Sequence, residues 1–525
     1  MPYALGFDCS TQSFSAVLVD LSGPALACTL GVSFTDLPEF GCPRGFLDGL
    51  PAGQVHADPR LWLAALDLLL ERMKEAAWPL EDVVALSGSG QQHGSVYLKA
   101  GFPDKLAALD PSRPLLEQLE GIFSRATAPI WMDGSTSTEC AEIAAALGGN
   151  DVVCARSGSV AVERFTGPQI RAFWKREPQA YADTARIHLV SSFLCSVLMG
   201  TDAPIDTGDG AGMNLMHLAG EGWDAKLLAA TAPDLRHRLP ELSAGRRLAG
   251  VVGSYFVQRH GFSASCAVLP FSGDNPSSLV GMGAATPGRV VVSLGTSDTL
   301  FAAMHEPRTD PDGCGHVFGN PLGGYMTLAC ILNGSLAREA FRDALGVDWS
   351  VFEEAGQVSL PDEAVCLPFI ADEINPKRRG GLHESLPSLP PVQRVRAFLE
   401  GQAFNLLRQL QWMNLVPTDI CLTGGASRND GIAQVFADVF NVPASRLSVS
   451  NSAAQGAAMR AAVAAGADLS ALETVLCHPD STLLPGHLND SDAAASISAE
   501  RYERWLQFFR DDGRTLNRAD HSLSA

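Results

Sequence analysis

The sequence is poor in cationic side chains. Its 525 residues include 38 Lys and Arg against 58 Asp and Glu, which gives a formal net charge of −20. A surface of this sign repels nucleic-acid phosphates and anionic lipids, so the composition argues against nucleic-acid and membrane partners. Any phosphate that this protein binds must therefore be held by backbone N–H groups, a metal ion or a few local cations.

Disulfide, zinc and targeting signals are also missing. The 12 cysteines contain no C-x-x-C pair and no regular spacing, which favours buried thiols in a reducing compartment. The first residues, MPYALGFDCS, lack the basic region of a signal peptide. No apolar run approaches the length that spans a membrane. We therefore expect a soluble cytoplasmic protein.

The length predicts more than one domain. A chain of 525 residues is too long for a single hydrophobic core, and 46% hydrophobic residues are typical of a globular protein. Glycines at 250 and 253 loosen the backbone around residues 248–256. We place the boundary there and expect domains at 1–250 and 251–525.

One carboxylate, that of Asp274, is the main candidate for a catalytic group. Asp274 lies in a Gly-Asp-Asn-Pro segment that follows an apolar run. Pro276 disfavours helix at Asn275 and Gly273 permits a sharp reversal, so the pattern predicts a tight turn. A carboxylate presented in this way can accept the proton of an alcohol during phosphoryl transfer.

Two strand–turn–strand patterns occur, one in each half. Residues 4–7 and 13–19 flank the polar turn DCSTQS, and residues 289–294 lead through Gly295 and Thr296 into a second apolar run. Their similarity suggests a duplicated architecture with two facing domains. The backbone N–H groups of such turns can hold phosphate, although a plain hairpin is the alternative.

The first of these turns also carries an acid. Asp8 ends the first strand, and we expect it to hold Mg²⁺ through water, because Mg²⁺ prefers one or two carboxylates together with phosphate oxygens. Thr11 and Gln12 would then approach the phosphates.

Donors and acceptors for a polyol follow the strand at 83–87. Gln92 and His93 lie in a Gly-Gln-Gln-His-Gly turn at its carboxyl end, where open α/β sheets place their ligands. Amides beside an imidazole suit sugar hydroxyls, although a core histidine is the alternative. Arg164 precedes a predicted helix and is either a surface charge or a fork-shaped donor to the sugar.

The second half has features of a nucleotide site. Gly424 and Gly425 follow a predicted strand, and their missing side chains would let an adenine or a phosphate approach the backbone. Asn429 follows and could hydrogen-bond the nucleotide. Trp349 either stacks on the base or packs within its helix.

Nine motifs occur in one order along almost the whole chain: DCSTQS, SGSGQQHGSVYL, PIWMDGST, ERFTGPQI, APIDTGDGAGMNL, GDNPSSLVGM, VVSLGTSDTLF, NGSLARE and LTGGASRND. This set resembles the FGGY carbohydrate kinases. The resemblance implies an α/β fold of two ribonuclease-H-like domains, of the actin, heat-shock and sugar-kinase clan, with a catalytic cleft between them. It also implies transfer of the ATP γ-phosphoryl group to the carbon-5 hydroxyl of D-xylulose.

The resemblance extends to individual residues. It implies that Asp274 is the general base and that the sugar is bound by His93, Arg164, Asp274 and Asn275. On the ATP side it implies Trp349, Gly424, Gly425 and Asn429.

Other functions remain open from the sequence. A nucleotide-driven clamp of the actin or chaperone kind would share both hairpins but needs neither the Asp274 base nor the Gln-His pair. A sugar-binding regulator without transfer would not need both Asp8 and Asp274. Among kinases, the acceptor could instead be ribulose, glycerol, gluconate or an unusual ketose. The oligomeric state is also open, with a homodimer as one candidate.

Overall fold

The structure, a computed structural model, describes residues 1–220, 222–447, 449, 451–486 and 491–515. It divides into two compact units. The first comprises Met1–Ala285, Val317–Met326 and Val449–Cys477, and the second comprises Thr286–His316, Thr327–Ser448 and His478–Ala525. These units divide the chain differently from the boundary expected after residue 250. The reason is that Ala267–Val268 and Ser272–Gly273 pair with a strand of the first sheet.

The first sheet surrounds the N-terminal strand. Its strands are β1 (Tyr3–Cys9), β2 (Ser13–Asp20), β3 (Ala25–Ser33), β4 (Val83–Gly90), β5 (Gly250–Val251), β6 (Ala267–Val268) and β7 (Ser272–Gly273). Their order is β5–β6–β4–β1–β2–β3, and β7 also pairs with β4. Strand β1 is antiparallel to β2 and parallel to β4. The carboxyl ends of β1, β4 and β7 therefore meet at one edge.

The second sheet repeats this arrangement. Its strands are β8 (Arg289–Leu294), β9 (Asp298–Met304), β10 (His316–Gly319), β11 (Tyr325–Ile331), β12 (Asp419–Thr423), β13 (Ala444–Arg446) and β14 (Ser481–Leu483). Their order is β10–β11–β9–β8–β12–β13–β14. Strand β8 is antiparallel to β9 and parallel to β12, as β1 is to β2 and β4. The duplicated architecture expected from the two hairpins is confirmed.

Helices pack around both sheets. The longer ones are α1 (Pro59–Glu75), α2 (Ser137–Leu147), α3 (Asn150–Ser157), α4 (Thr166–Arg176), α5 (Val190–Met199), α6 (Asp274–Gly281), α7 (Ser335–Leu345), α8 (Pro391–Met413), α9 (Asp430–Phe440), α10 (Ser452–Ala464), α11 (Leu469–Leu476) and α12 (Ser491–Asp511). Shorter helices are Phe102–Ala107, Leu115–Leu119, Pro178–Ala182, Thr207–Gly210, Ala225–Thr231, Leu235–Arg238, Ser254–His260 and Trp349–Glu354.

Short strand pairs complete the structure: His56–Ala57 with Ala128–Pro129, Ser95–Leu98 with Arg186–Leu189, Ile205–Asp206 with Leu242–Ser243, Cys366–Leu367 with His383–Glu384, and Glu373–Ile374 with Lys377–Arg378. In the described part of the chain, every helix is too short or too polar to cross a bilayer. The cysteines are free thiols, and most are buried.

Helix α1 illustrates how the sequence sets these elements. Asp58 caps its first turn by accepting a hydrogen bond from the backbone N–H of Arg60, and Pro59 occupies the first position, where no N–H partner is needed. Its buried residues recur at helical spacing and include Trp62, Leu66 and Leu69. The spacing of apolar residues in the sequence is therefore enough to account for this helix.

Helix α10 packs directly against backbone in the first unit. A Cβ atom on Gly6 would lie 2.0 Å from the carbonyl oxygen of Ala454. A Cβ on Gly456 would lie 1.8 Å from the carbonyl oxygen of Ser277, and one on Gly281 would lie 1.9 Å from that of Ser452. Glycine is therefore required on both sides of the contact between α6 and α10, and this contact fixes the helix that begins with Asp274.

We expect Gly456→Ala to destabilise the protein by at least about 2 kcal/mol, because the added methyl group meets backbone that cannot rotate away. Chemical denaturation with and without the substitution measures this. Gly101→Ala is the matched control, since a Cβ there meets nothing within 4 Å. Equal stability of the two variants would contradict the tight α6–α10 contact.

Candidate active site

Asp274 lies at the carboxyl edge of the first sheet. Strand β7 runs parallel to β4, and the chain enters helix α6 directly at Asp274. The predicted tight turn at this position is therefore wrong, because Asn275 and Pro276 are helical. Proline is tolerated here because its missing N–H lies in the first helical turn, where N–H groups lack intrahelical partners.

Backbone and side-chain N–H groups hold the Asp274 carboxylate. Its Oδ1 accepts hydrogen bonds from the backbone N–H groups of Asn275 at 2.8 Å and Gln92 at 3.3 Å, and from the Asn275 side-chain amide at 3.2 Å. Burial, and after it the charge of Asp8, raises the pKa of Asp274 to about 7, while the backbone donors oppose this shift. Asp274 is half-buried: protein atoms surround its carboxyl group, and part of the residue's surface remains accessible to solvent. A carboxylate with this pKa is well matched to accept a proton near neutrality.

The turn after β4 brings Gln92 and His93 to the same place. The Gln92 Oε1 atom accepts a hydrogen bond from the Asn275 side chain at 2.9 Å. His93 adopts a φ of +71°, which is unusual for a residue with a side chain. Its Nδ1 lies 2.8 Å from the carbonyl oxygen of Gly212, which can only accept, so Nδ1 carries the hydrogen. In the neutral ring Nε2 is then an acceptor.

Arg164 lies in the loop before α4, next to an aromatic residue of the site. The following residue, Phe165, stacks on the His93 ring with centroids 4.2 Å apart. Arg164 itself is half-buried. Within the described part of the chain, no hydrogen bond or ion pair engages its guanidinium, so its donors remain available to a ligand.

Asp8 is the second-last residue of β1 and lies beside these groups. Its carboxylate accepts hydrogen bonds from the Ser89 hydroxyl at 2.7 Å and from the Ser10 hydroxyl. Burial raises the pKa of Asp8, and the two hydroxyls offset part of this effect. A buried carboxylate of this kind is stabilised by a cation, so it fits a water-mediated Mg²⁺ site. Among the described residues, no group of three or more His, Cys, Asp and Glu side chains is arranged to hold a metal ion.

The other two residues predicted in this first turn differ in exposure. Thr11 is half-buried, and its hydroxyl oxygen accepts a hydrogen bond from the indole N–H of Trp131 at 2.8 Å. Gln12 is exposed.

In the second unit, two turns predicted to bind ATP are neighbours. Gly295 and Thr296 join β8 to β9, and Gly424 follows β12, the parallel partner of β8. Gly424 has a φ of +85°, and a Cβ there would lie 2.6 Å from the carbonyl oxygen of Leu294. Packing within the sheet therefore already requires this glycine. Gly425 faces open space, since a Cβ there meets nothing within 4 Å.

Asn429 and Trp349 also lie together in the second unit. Asn429 caps α9 by accepting a hydrogen bond from the backbone N–H of Ile432 at 3.0 Å, and its amide donates to the carbonyl oxygen of Trp349 at 3.3 Å. The Trp349 side chain is 38% exposed, with the Arg342 guanidinium 4.8 Å from its ring centroid. The half-exposed indole retains surface on which a base could stack.

The sequence pattern did not assign residues 206–214, which the structure shows as the end of a short strand followed by the helix Thr207–Gly210 and a further helical turn. The structure places this segment behind the sugar-binding candidates, where Gly212 contacts His93 and Asp209 lies beside Gly273. The sequence signal for a role of this segment is the pair Asp206 and Asp209, three residues apart among glycines. That signal is weak, because such segments are common in exposed loops.

Comparisons with known proteins show which family the chain resembles along its length. Models of the FGGY family of carbohydrate kinases match the N-terminal domain at residues 126–281 and the C-terminal domain at residues 290–465. The chain is 40% identical over 494 residues to the xylulose kinase of Rattus norvegicus, covering 91% of this chain and 92% of that protein. It is 39% identical to xylulose kinase 2 of Arabidopsis thaliana, covering 87% and 86%.

A solved structure shares the fold. The crystal structure of the xylulose kinase from Rhodospirillum rubrum superposes with a TM-score of 0.80 at 19% identity, covering 97% of this chain and 98% of that one. The two family models and the extent of the sequence identity confirm the resemblance seen in the motifs, and the chain belongs to the FGGY family of carbohydrate kinases.

Proposed function

We propose that this enzyme transfers the γ-phosphoryl group of ATP to the carbon-5 hydroxyl of D-xylulose, a step of pentose catabolism. The observation that carries this proposal is the Asp274 carboxylate at the carboxyl edge of the first sheet, whose Oδ1 is held by three N–H donors. Burial raises its pKa to about 7, which also suits proton acceptance from an alcohol. The similarity to proteins named xylulose kinase supports the choice of sugar.

Asp274 acts as the general base in this proposal. Its Oδ1 is occupied by three N–H donors, which fix the orientation of the carboxylate. The carboxylate orients the sugar hydroxyl and takes its proton as the bond to phosphorus forms. In a loose transition state this proton moves late, so positioning contributes more than base strength.

The sugar is held by residues around this base. Gln92, His93, Arg164 and Asn275 offer both donors and acceptors, which a polyol requires. His93 presents Nε2 as an acceptor for a sugar hydroxyl, because its Nδ1 hydrogen is directed at Gly212. Arg164 adds a cationic donor with fixed geometry.

We assign ATP binding to residues of polar and glycine turns, namely Thr11, Gln12, Gly295, Thr296, Trp349, Gly424, Gly425 and Asn429. Asp8 would hold Mg²⁺ through water, and the ion when bound would neutralise charge on the phosphate oxygens. The free, mostly buried thiols support a reducing, cytoplasmic compartment.

A coupled ADP-release assay tests the reaction and the acceptor together. We expect the highest kcat/KM with D-xylulose in a panel that includes ribulose, glycerol and gluconate. A better rate with another sugar would overturn the substrate but keep the kinase. ADP release that is independent of every sugar would favour the nucleotide clamp.

Asp274→Asn should lower kcat by on the order of 10²–10⁴-fold, because the nearly isosteric amide cannot accept the proton. Steady-state kinetics with the preferred sugar measure this, and ATP binding should be retained. The control is Asp183→Asn, a change at an exposed residue. An Asp274→Asn enzyme with most of its kcat would remove this residue from the mechanism.

His93→Ala should raise the KM for the sugar roughly 5- to 150-fold, the effect of leaving one sugar hydroxyl unpaired at about 1–3 kcal/mol. The KM for ATP should change little. His237→Ala, at an exposed position, is the control. An unchanged sugar KM with a lowered melting temperature would instead identify His93 as a core residue.

A further inference from the structure

The segment at residues 206–214 is hydrogen-bonded to the strand that leads to the base. Asp206 accepts hydrogen bonds from the backbone N–H of Gly208 at 3.0 Å and from the Ser272 hydroxyl. Ser272 lies two residues before Asp274 in strand β7. The segment therefore supports the backbone from which the base projects.

Asp209 contacts the next residue of this strand. Its side chain is 1% exposed, and its Oδ2 accepts a hydrogen bond from the Ser191 hydroxyl at 2.5 Å. Its Oδ1 is buried and has no hydrogen-bond partner among the described residues. A Cβ on Gly273 would lie 3.0 Å from this oxygen and 2.7 Å from Cγ of Gln92, so Asp209 and Gln92 enclose Gly273.

The charged surroundings of Asp209 are mainly negative. Asp206 lies in the same segment and Asp274 begins α6, and both act on Asp209 as like charges. Arg460 of α10 lies 4.0 Å from Asp206 Oδ1 and donates to the carbonyl oxygens of Gly245 and Pro270. His93 directs its Nδ1 hydrogen at Gly212. Within the described part of the chain, no cation lies within ion-pair distance of Asp209.

An ionised carboxylate at the buried position of Asp209 would destabilise the folded protein. One hydroxyl donor does not compensate an ionised carboxyl for the loss of water, and a buried acid without a counter-ion takes up a proton instead. Burial raises the pKa of Asp209 well above its ordinary value, and the neighbouring carboxylates add to this against the Ser191 hydrogen bond. When two carboxyls lie close together, the one in the less polar site keeps the proton.

We propose that Asp209 stays protonated while Asp274 is ionised, and that it acts as a neutral positioning residue for the base. The pair then carries one negative charge, which resides on the carboxyl that faces the sugar. Asp209 itself does not touch substrate in this arrangement. The consequence for catalysis rests on the proposed role of Asp274, whereas the protonation of Asp209 does not.

Thermal unfolding of Asp209→Asn as a function of pH tests the protonation directly. If Asp209 is neutral in the folded protein, it ionises near pH 3.9 only in the unfolded wild type. Raising the pH above this value then favours unfolding of the wild type but not of the Asn variant, which has no proton to lose at this position. The melting temperature of Asp209→Asn should then rise relative to wild type by about 1–3 °C per pH unit between about pH 5 and pH 8. Asp183→Asn should show no such trend. A difference that is independent of pH, or an Asp209→Asn chain that does not fold, would overturn the proposal.

Turnover tests the positioning role separately. Asp209→Ala should lower kcat at least tenfold while changing the KM for ATP little. Asp209→Asn should keep kcat within about threefold of wild type, because the amide is also neutral and has the same shape. An Asn variant as impaired as the Ala variant, with both folded, would show that the charge is needed and overturn the proposal. Failure of Asp274→Asn to impair turnover would instead overturn the base assignment, and the pH dependence of unfolding would still decide the state of Asp209.

Discussion

The cost of burying several carboxylates at one sheet edge constrains the rest of the site. Asp8 and Asp274 lie at the carboxyl ends of β1 and β7, and Asp206 and Asp209 lie against the two residues of β7. Hydrogen bonds from hydroxyls and backbone N–H groups offset most of the free energy lost on burying these carboxylates. Arg460 adds a positive charge 4.0 Å from the Asp206 Oδ1 atom. Such incomplete compensation raises the pKa values of these acids, and perturbed pKa values of this kind are frequent at functional sites.

Rigid packing keeps these acids in place. Helix α6 begins with Asp274 and lies against α10 with glycine on both sides, so its backbone cannot shift without meeting the backbone of its neighbour. The same helix α10 lies against Gly6 in strand β1, which ends near Asp8. One alanine-rich helix thus supports both the strand that carries Asp8 and the helix that carries Asp274.

Several elements were predictable because their signals are local. The hairpins around residues 8–13 and 294–298, helix α1 and the Gly-Gln-Gln-His-Gly turn follow from strand patterning, capping and glycine placement. The turn at Asp274 was predicted wrongly, because the rule that proline disfavours helix before it is weak in a first helical turn. The constraint on Gly424 was attributed to a ligand, whereas the backbone of Leu294 already imposes it.

The sequence by itself determined the family, the duplicated α/β architecture and the identity of the candidate base, because ordered motifs and strand patterns are readable along one dimension. Only the tertiary structure decided which groups surround that base. The grouping of Asp209 with Ser191, Gly273 and Gln92 joins residues far apart in the chain, and the pKa of a carboxyl depends on burial and neighbours in space. The return of residues 449–477 to the first unit has the same origin, since packing against Gly6 and Gly281 is a long-range contact that no local pattern encodes.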